Sequence, residues 1–212
     1  MSKDVEARLA EVYHAASPTE LSKTYDDWAS SYDADMLAMG YAHPAVICGL
    51  TSRYVTDLSA PILDAGVGTG NIGNLLSILG FSNLHGIDMS EGMLAKAKAR
   101  GVYRGLHHGV LGEALDFPSA HFTAIVSTGT FTTGHAPASG FDELVRILKP
   151  GGILIFTVGE PVWKPAGFAD KLENLCKSGA LKPIWQSATY HPMPHSKTES
   201  GFQARVYVYE RV

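Results

Sequence analysis

The feature that most limits the possible folds is a strand, a glycine-rich loop and a helix in direct succession over residues 61–80. An apolar run leads into Asp-Ala-Gly-Val-Gly-Thr-Gly-Asn, and a helical pattern begins near Ile72. Gly66, Gly68 and Gly70 let the loop turn tightly and let its backbone approach a ligand. In an open parallel sheet, ligands bind beyond the carboxyl ends of the strands, where this loop would lie. We therefore expect a bound ligand at the loop.

Strands and helices alternate along the chain after this loop. Apolar runs predict strands, and a 3.6-residue periodicity predicts helices. The predicted strands are 84–88, 106–111, 122–128 and 152–158, and the predicted helices are 90–99, 138–148 and 165–177. Such alternation predicts an α/β fold in which a mostly parallel sheet carries helices on both faces.

Both ends of the chain differ from this alternating centre. Apolar positions at helical spacing predict three helices before the first strand, at 4–15, 19–32 and 43–55. Segments 183–193 and 202–212 have strand character and no helix separates them, which predicts an antiparallel hairpin at the sheet edge. Because no internal repeat or linker is found, we expect one domain over residues 1–212.

The composition argues against several classes of protein. A total of 17 basic residues against 21 acidic residues gives a net charge of −4, so no nucleic-acid partner is expected. Cys48 and Cys176 belong to no metal-binding motif, so we expect free thiols and no metal ion. No segment approaches about 18 uninterrupted apolar residues, and the N-terminus has no signal-peptide pattern. We expect a cytoplasmic monomer or homodimer without a membrane partner.

The spacing of the loop indicates which ligand it holds. A dinucleotide-binding GxGxxG loop requires glycine where this chain has Asn71, and no Lys-Ser or Lys-Thr pair follows to make a P-loop. Asp64 precedes Gly66 by two residues, and a carboxylate there suits a ligand with an ammonium group. The alternative is a glycine turn that packs the helix against the strand and binds nothing.

Asp88 closes the next predicted strand, 18 residues after Gly70, which matches a rule of about 20 residues. An acidic residue at this distance binds the two hydroxyls of a ribose. Alternatively, Asp88 caps the helix that begins near Ser90, although Ser90 can serve as the cap itself. Met89 and Met93 would flank an adenine ring, and core packing explains Met93 equally well.

Four segments, in order, resemble the successive motifs of class I methyltransferases that depend on S-adenosylmethionine (SAM). They are LDAGVGTGNIG at 63–73, GIDMSEGML at 86–94, FTAIVSTGTF at 122–131 and ELVRILKPGGILIFT at 143–157. The resemblance implies a Rossmann-like sheet of seven strands, with SAM as cofactor and S-adenosylhomocysteine (SAH) as product. It divides the chain into a helical cap at 1–56, a SAM-binding core at 57–158 and a substrate-side segment with the hairpin at 159–212.

Further segments are similar to the methyltransferase-like protein 27 group, also called Williams-Beuren syndrome region 27 protein. They are KTYDDWASSYDADM at 23–36, LHGIDMSEGMLAKAKARGVYRGL at 84–106 and TGTFTTGHAP at 128–137. This second resemblance adds no reaction that could be carried over to the chain.

The class I resemblance implies a role for each matching residue. Asp64 and the three loop glycines would surround the methionine part of SAM. Asp88 would bind the ribose, and Met89 would lie against adenine. Thr128 and Gly129, at the end of the fourth predicted strand, are implied as further cofactor contacts.

The adenine amino group and the methionine carboxylate need other partners. Related enzymes place an acidic residue near the adenine amino group, whereas the matching position here is Leu111-Gly112, with Glu113 beside it. Backbone groups of Leu111 and Gly112 would replace that residue. The segment from Tyr25 to Asp33 resembles the N-terminal cap that closes over SAM in related enzymes. Tyr25 and Tyr32 would then reach the methionine carboxylate or the methyl group, and their aromatic faces would attract the sulfonium. Alternatively, the two rings pack a helix into the core.

Methyl transfer from a sulfonium is a direct displacement, so the protein mainly aligns the reactants, which supplies on the order of 7–11 kcal/mol. A base is needed only for a protonated nucleophile. His135 and Glu160, at predicted carboxyl ends of strands, are the first candidates, followed by His191 and His195. Tyr32 is a further catalytic candidate. The alternative for His135, Glu160 and the two later histidines is that each is an exposed loop residue without a catalytic role.

Missing motifs narrow the acceptor to a small molecule. The fourth strand ends without the carboxylates of magnesium-dependent methyltransferases, no Asn-Pro-Pro-Tyr motif follows it, and Glu160 is a single acid rather than a glutamate pair. We expect a substrate pocket between the cap and segment 159–196. Two alternatives stay open, a catalytically silent SAM-binding or partner-binding protein and an NAD-dependent oxidoreductase.

Overall fold

The computed structural model describes residues 5–199 and 201–212. The strands within them are β1 (Ile62–Ala65), β2 (Leu84–Asp88), β3 (Tyr103–His108), β4 (Phe122–Phe131), β5 (Leu148–Gly159), β6 (Leu181–Gln186) and β7 (Ala204–Arg211). They form one sheet in the order β3-β2-β1-β4-β5-β7-β6. The first five strands pair in parallel, and β7 is antiparallel to both of its neighbours. The predicted seven-stranded, mostly parallel sheet with an antiparallel edge pair is confirmed.

Helices surround this sheet. They are α1 (Val5–Tyr13), α2 (Pro18–Trp28), α3 (Tyr32–Ala38), α4 (His43–Tyr54), α5 (Asn71–Ile78), α6 (Glu91–Ala99), α7 (Gly140–Ile147), α8 (Glu160–Trp163) and α9 (Phe168–Lys177). We use "the cap" for α1, α2 and α3 together. Over the described part of the chain, no helix is long and apolar enough to cross a membrane.

The central strands are buried on both faces. Neighbouring residues of β4, Ile125 and Val126, belong to two different buried clusters. One cluster contains Phe141 and Phe168 from α7 and α9, and the other contains Ile47 from α4. Burying each such side chain contributes about 1.5–3 kcal/mol. Because helices cover both faces, the carboxyl ends of the strands are left for a site.

The predicted helix 19–32 is wrong in its last residues. Helix α2 ends at Trp28, the backbone N–H of Ser31 donates to the Trp28 carbonyl (3.0 Å), and α3 begins at Tyr32. Asp35 Oδ2 accepts from Trp28 Nε1 (2.7 Å) and from Ser31 Oγ (2.9 Å). These side-chain hydrogen bonds stabilise a turn between two helices at the expense of one continuous helix.

The antiparallel edge pair is not a tight hairpin. The predicted strand 183–193 is wrong beyond Gln186, where β6 ends, and a connection over 187–203 leads to β7. Within this connection, Pro192 has no N–H for a strand ladder, and its carbonyl accepts from Ala42 N (2.8 Å). The connection therefore packs against the segment that follows the cap.

Strand β3 also differs from its prediction at 106–111. Tyr103 already pairs with Leu84 of β2, so the strand begins three residues earlier. It ends at His108, and a turn follows in which Glu113 N donates to Val110 O (3.1 Å).

Candidate active site

A cavity of about 360 Å³ lies between the cap and the carboxyl ends of β1, β2 and β4. Sites for small molecules commonly measure about 300–1,000 Å³. Most of the predicted site residues line it, namely Tyr25, Tyr32, Gly66, Gly68, Asp88, Met89, Met93, Leu111, Thr128, Gly129 and His135. Four others, Asp64, Gly70, Gly112 and Glu160, do not. We call this space the main cavity.

The loop glycines divide into two groups. Gly66 has a φ of +80°, and an added Cβ would overlap the hydroxyl of Thr130. Gly68 has a φ of +52°, and an added Cβ would meet no protein atom within 4 Å. Gly70 serves packing, since an added Cβ would lie 3.0 Å from the Cα of Ala97 in α6. Thus Gly66 and Gly68 shape the cavity, whereas Gly70 brings two helices together.

Asp88 faces the main cavity from the end of β2. Its Oδ2 accepts from Gly68 N (2.8 Å) and its Oδ1 from Ser90 N (3.0 Å). Burial raises the pKa of the Asp88 carboxyl, and the backbone hydrogen bonds oppose that rise. The hydroxyl of Ser90 accepts from Met93 N (3.0 Å) and so caps α6. Each Asp88 oxygen therefore keeps acceptor capacity for a ligand.

Asp64 has contacts other than those expected from the sequence. It is buried beneath the loop, where Oδ2 accepts from Tyr103 Oη (2.7 Å), and Tyr103 Oη accepts in turn from Gly73 N (2.9 Å). Its Oδ1 has no hydrogen-bond partner among the described residues. Burial raises the pKa of Asp64 to about 8. Tyr103, which the sequence reasoning missed, thus holds this carboxyl outside the cavity wall.

Gly73 is the feature of the sequence that indicates a close contact at the first turn of α5, which Tyr103 makes. An added Cβ at Gly73 would overlap the phenol ring of Tyr103. The small residue in the first turn of α5 therefore makes room for a ring from β3.

Tyr25 and His135 form a hydrogen-bonded pair in the cavity wall. Tyr25 Oη and His135 Nε2 are 2.6 Å apart, and His135 Nδ1 lies 2.6 Å from the carbonyl oxygen of Thr133. Because a carbonyl only accepts, Nδ1 carries the hydrogen and Nε2 accepts from Tyr25. Burial lowers the pKa of His135. The imidazole is therefore neutral, and its basic nitrogen points at Tyr25.

Hydrogen bonds from the cap fasten it to the ligand loops. Asp33 Oδ1 accepts from Thr69 Oγ1 (2.5 Å), and Asp33 Oδ2 pairs with Arg100 Nη2 (2.5 Å). Asp26 Oδ1 accepts from Ser90 Oγ (2.6 Å). The motif containing these aspartates was recognised in the sequence, but their partners were not, because those lie more than 30 residues away.

Glu160 and Gly112 lie outside the wall for identifiable reasons. Glu160 Oε1 pairs with Arg205 Nε (2.9 Å) of β7, the strand next to β5. Gly112 has a φ of +111°, and an added Cβ would lie 2.7 Å from Pro137. His191 and His195 belong to the connection between β6 and β7 and do not line the main cavity.

Comparison with known proteins agrees with this arrangement. Residues 63–156 match a family model described as a methyltransferase domain. Methyltransferase-like protein 27 of Homo sapiens is 36% identical over 157 residues, which cover 73% of this chain. The similarity of this region supports a SAM-dependent methyltransferase. The chain spans 64% of the length of that human relative.

Solved structures show the same fold at low sequence identity. Geranyl diphosphate C-methyltransferase from Streptomyces coelicolor A3(2), solved with Mg²⁺, geranyl diphosphate and SAH, has a TM-score of 0.63 and 15% identity, covering 86% of this chain and 85% of that one. The 4+2 cyclase SpnF has a TM-score of 0.61 and 16% identity, covering 79% and 81%. The similarity to methyltransferases argues against the oxidoreductase alternative.

SAM is the cofactor of this family, and the wall of the main cavity fits it. Asp88 is the one carboxylate among the described wall residues, and no lysine or arginine is found among them. A cationic ligand therefore meets no like charge there. Thr128 Oγ1 is buried and has no hydrogen-bond partner within the described part of the chain. A ligand with polar groups would satisfy that hydroxyl.

Proposed function

We propose that this chain transfers the methyl group of SAM to a small-molecule acceptor. The observation that carries the proposal is the Tyr25–His135 pair in the wall of the main cavity, which joins helix α2 of the cap to the segment after β4. When bound, SAM supplies an electrophilic methyl group on a good leaving group. The cap excludes water, and holding two reactants in line contributes on the order of 7–11 kcal/mol.

The roles in cofactor binding follow from position and chemistry. Asp88 binds the ribose hydroxyls through its free acceptor capacity, and Met89 and Met93 lie against adenine. The backbone of Leu111 replaces the acidic residue that related enzymes use at adenine. Tyr32, Thr128 and the turns at Gly66, Gly68 and Gly129 enclose the methionine part. Asp64, Gly70 and Gly112 lie behind the wall of the main cavity and shape the loops that form it.

His135 is the base of the proposed reaction. Its Nε2 is unprotonated, and its orientation is fixed by the Thr133 carbonyl. Glu160 is engaged by Arg205 and does not line the main cavity, which makes it the weaker candidate. The ring of Tyr32 packs edge-on against Trp28, with centroids 4.9 Å apart, and so orients the wall near the sulfonium.

A small acceptor is supported by the closure of the cavity. The cap is bonded to the glycine loop through Asp33 and to α6 through Asp26, so two of its helices lie over the main cavity. The net charge of −4 argues against a nucleic-acid acceptor. The cytoplasmic location, the monomeric or dimeric state and the three-part division of the chain stay predictions.

The proposed activity is tested by incubating the protein with methyl-labelled SAM and a size-filtered extract of small molecules. Label in a small-molecule product that depends on His135 is expected. Full SAH binding with no labelled product from any extract would instead favour the catalytically silent alternative.

A further inference from the structure

Part of the connection between β6 and β7 packs with the cap rather than with the sheet edge. We call residues 192–199 the strap. Its Met193 is buried in one cluster with side chains from all three helices of the cap. The cluster includes Leu9 of α1, Trp28 of α2 and Met36 of α3. Elements that share a buried cluster tend to open and close together, so the strap belongs to the cap as a unit.

Two backbone hydrogen bonds join the strap to the segment that follows α3. Ala42 N donates to the Pro192 carbonyl (2.8 Å), and His195 N donates to the Met39 carbonyl (3.2 Å). Gly40, between them, has a φ of +71°, and an added Cβ would lie 2.8 Å from the His195 ring. The glycine therefore lets the strap lie directly against the end of the cap.

Glu6 of α1 binds the other end of the strap. Its carboxylate accepts from Lys197 N (2.7 Å), from Ser196 Oγ (2.9 Å) and from Thr198 Oγ1. Burial alone would raise the pKa of Glu6, but the hydrogen bonds from the strap lower it below its ordinary value. Glu6 is therefore charged at neutral pH, and hydrogen bonds to a charged acceptor are stronger than those to a neutral one.

The strap is linked to the main cavity without lining it. Among the described residues, none of α1 or of the strap lies in the wall of that cavity, whereas Leu21 and Tyr25 of α2 do. Leu21 is also a member of the cluster that contains Met193, and Tyr25 packs against that cluster. A ligand in the main cavity therefore reaches the strap only through α2 and the shared cluster.

The strap also forms a wall near the proposed base. A second cavity, of about 50 Å³, has Pro192 and Met193 in its wall. Tyr25 and His135 line both this cavity and the main cavity. The position of the strap thus determines the wall beside the Tyr25–His135 pair.

We propose that cofactor binding in the main cavity stabilises the strap, through the shared cluster and the Glu6 carboxylate, and so completes the wall beside His135. The inference rests on the proposed function, since it takes the main cavity as the SAM site, and it adds how that site is regulated. A ligand that restricts α2 also restricts the elements packed against α2. The two regions are therefore coupled although the ligand does not touch the strap.

Amide hydrogen exchange of the full chain, measured by NMR with and without saturating SAH, tests this inference. The reporters are strap amides with hydrogen bonds, namely those of His195, Ser196 and Glu199. We expect SAH to slow their exchange by at least about tenfold, which corresponds to about 1.4 kcal/mol of local stability.

Glu6→Ala tests the route of the coupling. The amides of Ser196 and Glu199 have their own acceptors within the strap, the Met193 carbonyl and Ser196 Oγ. Any change at these amides therefore reports the loosening of the strap and not the loss of an acceptor. In Glu6→Ala, SAH should slow them by less than about threefold, half of the wild-type effect in free energy. His195, which is bonded to Met39, should keep its slowing.

Asp170→Ala, at an exposed position of α9, is the control and should exchange as the wild type does. If Glu6→Ala does not fold, Glu6→Gln, which keeps the shape and loses the charge, decides. Strap exchange that SAH leaves unchanged in the wild type would overturn the coupling, and wild-type slowing at Ser196 and Glu199 in Glu6→Ala would overturn the role of Glu6. Failure of the folded wild type to bind SAH would instead refute the proposed function, so the two failures are distinguishable.

Discussion

Asp33 of the cap accepts a hydrogen bond from Thr69 in the glycine loop, with 2.5 Å between Oδ1 and Oγ1. The other carboxylate oxygen pairs with Arg100, whose Nε donates to the Thr69 carbonyl (2.6 Å). One side chain of the cap therefore holds the loop that shapes the cofactor cavity. Closing the cap and ordering the loop are coupled through this contact.

Asp33→Ala should weaken SAH binding by roughly 1 kcal/mol, about fivefold, because a partly exposed ion pair contributes about that much. We also expect SAM to protect residues 19–36 from hydrogen exchange in the wild type, and Asp33→Ala to reduce that protection. Calorimetry and exchange mass spectrometry measure the two effects. Asp27→Ala, at an exposed position of α2, is the matched control. Wild-type exchange in Asp33→Ala would show that the contact does not hold the cap.

Asp88→Ala should weaken SAM binding by about 1.5–3 kcal/mol, the cost of losing hydrogen bonds to a charged group. Asp88 lies in the cavity wall, and Ser90 provides the side-chain cap of α6, so the helix should persist. Calorimetric titration measures the affinity, and circular dichroism checks the fold. Unchanged affinity in a folded variant would remove Asp88 from the ribose site.

Asp64 should make the stability of the ligand-free protein depend on pH. Its pKa is about 8 in the folded chain and about 3.9 in an unfolded chain, so the folded form retains a proton that the unfolded form releases. Between these values, the stability contributed by Asp64 falls as pH rises, by up to about 1.4 kcal/mol per pH unit.

The side chain of Asp64→Asn cannot ionise. The unfolding free energy of the wild type should therefore fall, relative to that of Asp64→Asn, as the pH rises from 5 to 8. Urea titration at several pH values measures it. Asp116→Asn, at an exposed position, should show no such trend. A difference that is constant with pH would mean that Asp64 is ionised throughout.

His135→Ala should lower kcat by about 10²–10⁴-fold, as expected for loss of a general base, and leave SAH affinity within a few-fold. Burial lowers the pKa of His135, so wild-type kcat should be level above about pH 7 and fall as pH drops through that lowered pKa. Once an acceptor is found, steady-state kinetics test both points. His191→Ala is the control. Wild-type turnover in His135→Ala would discard the base.

The sheet and the loop could be predicted because local patterns determine them. The alternation of strands and helices predicts the parallel centre of the sheet, and Gly66 and Gly68 indicate the loop that binds the ligand. The turn at Ser31 and the role of Tyr103 were not predicted, because the turn depends on side-chain contacts with Asp35 and the role of Tyr103 depends on residues distant in sequence. Asp64 illustrates the limit: its motif was recognised, but the phenol that covers it comes from β3.

Calorimetric titration of the purified protein with SAH and, separately, with NAD tests the cofactor assignment most directly. We predict micromolar binding of SAH at one site per chain and no heat from NAD. Binding of NAD, or no binding of SAH by the folded protein, would contradict the cofactor assignment and with it the proposed methyl transfer.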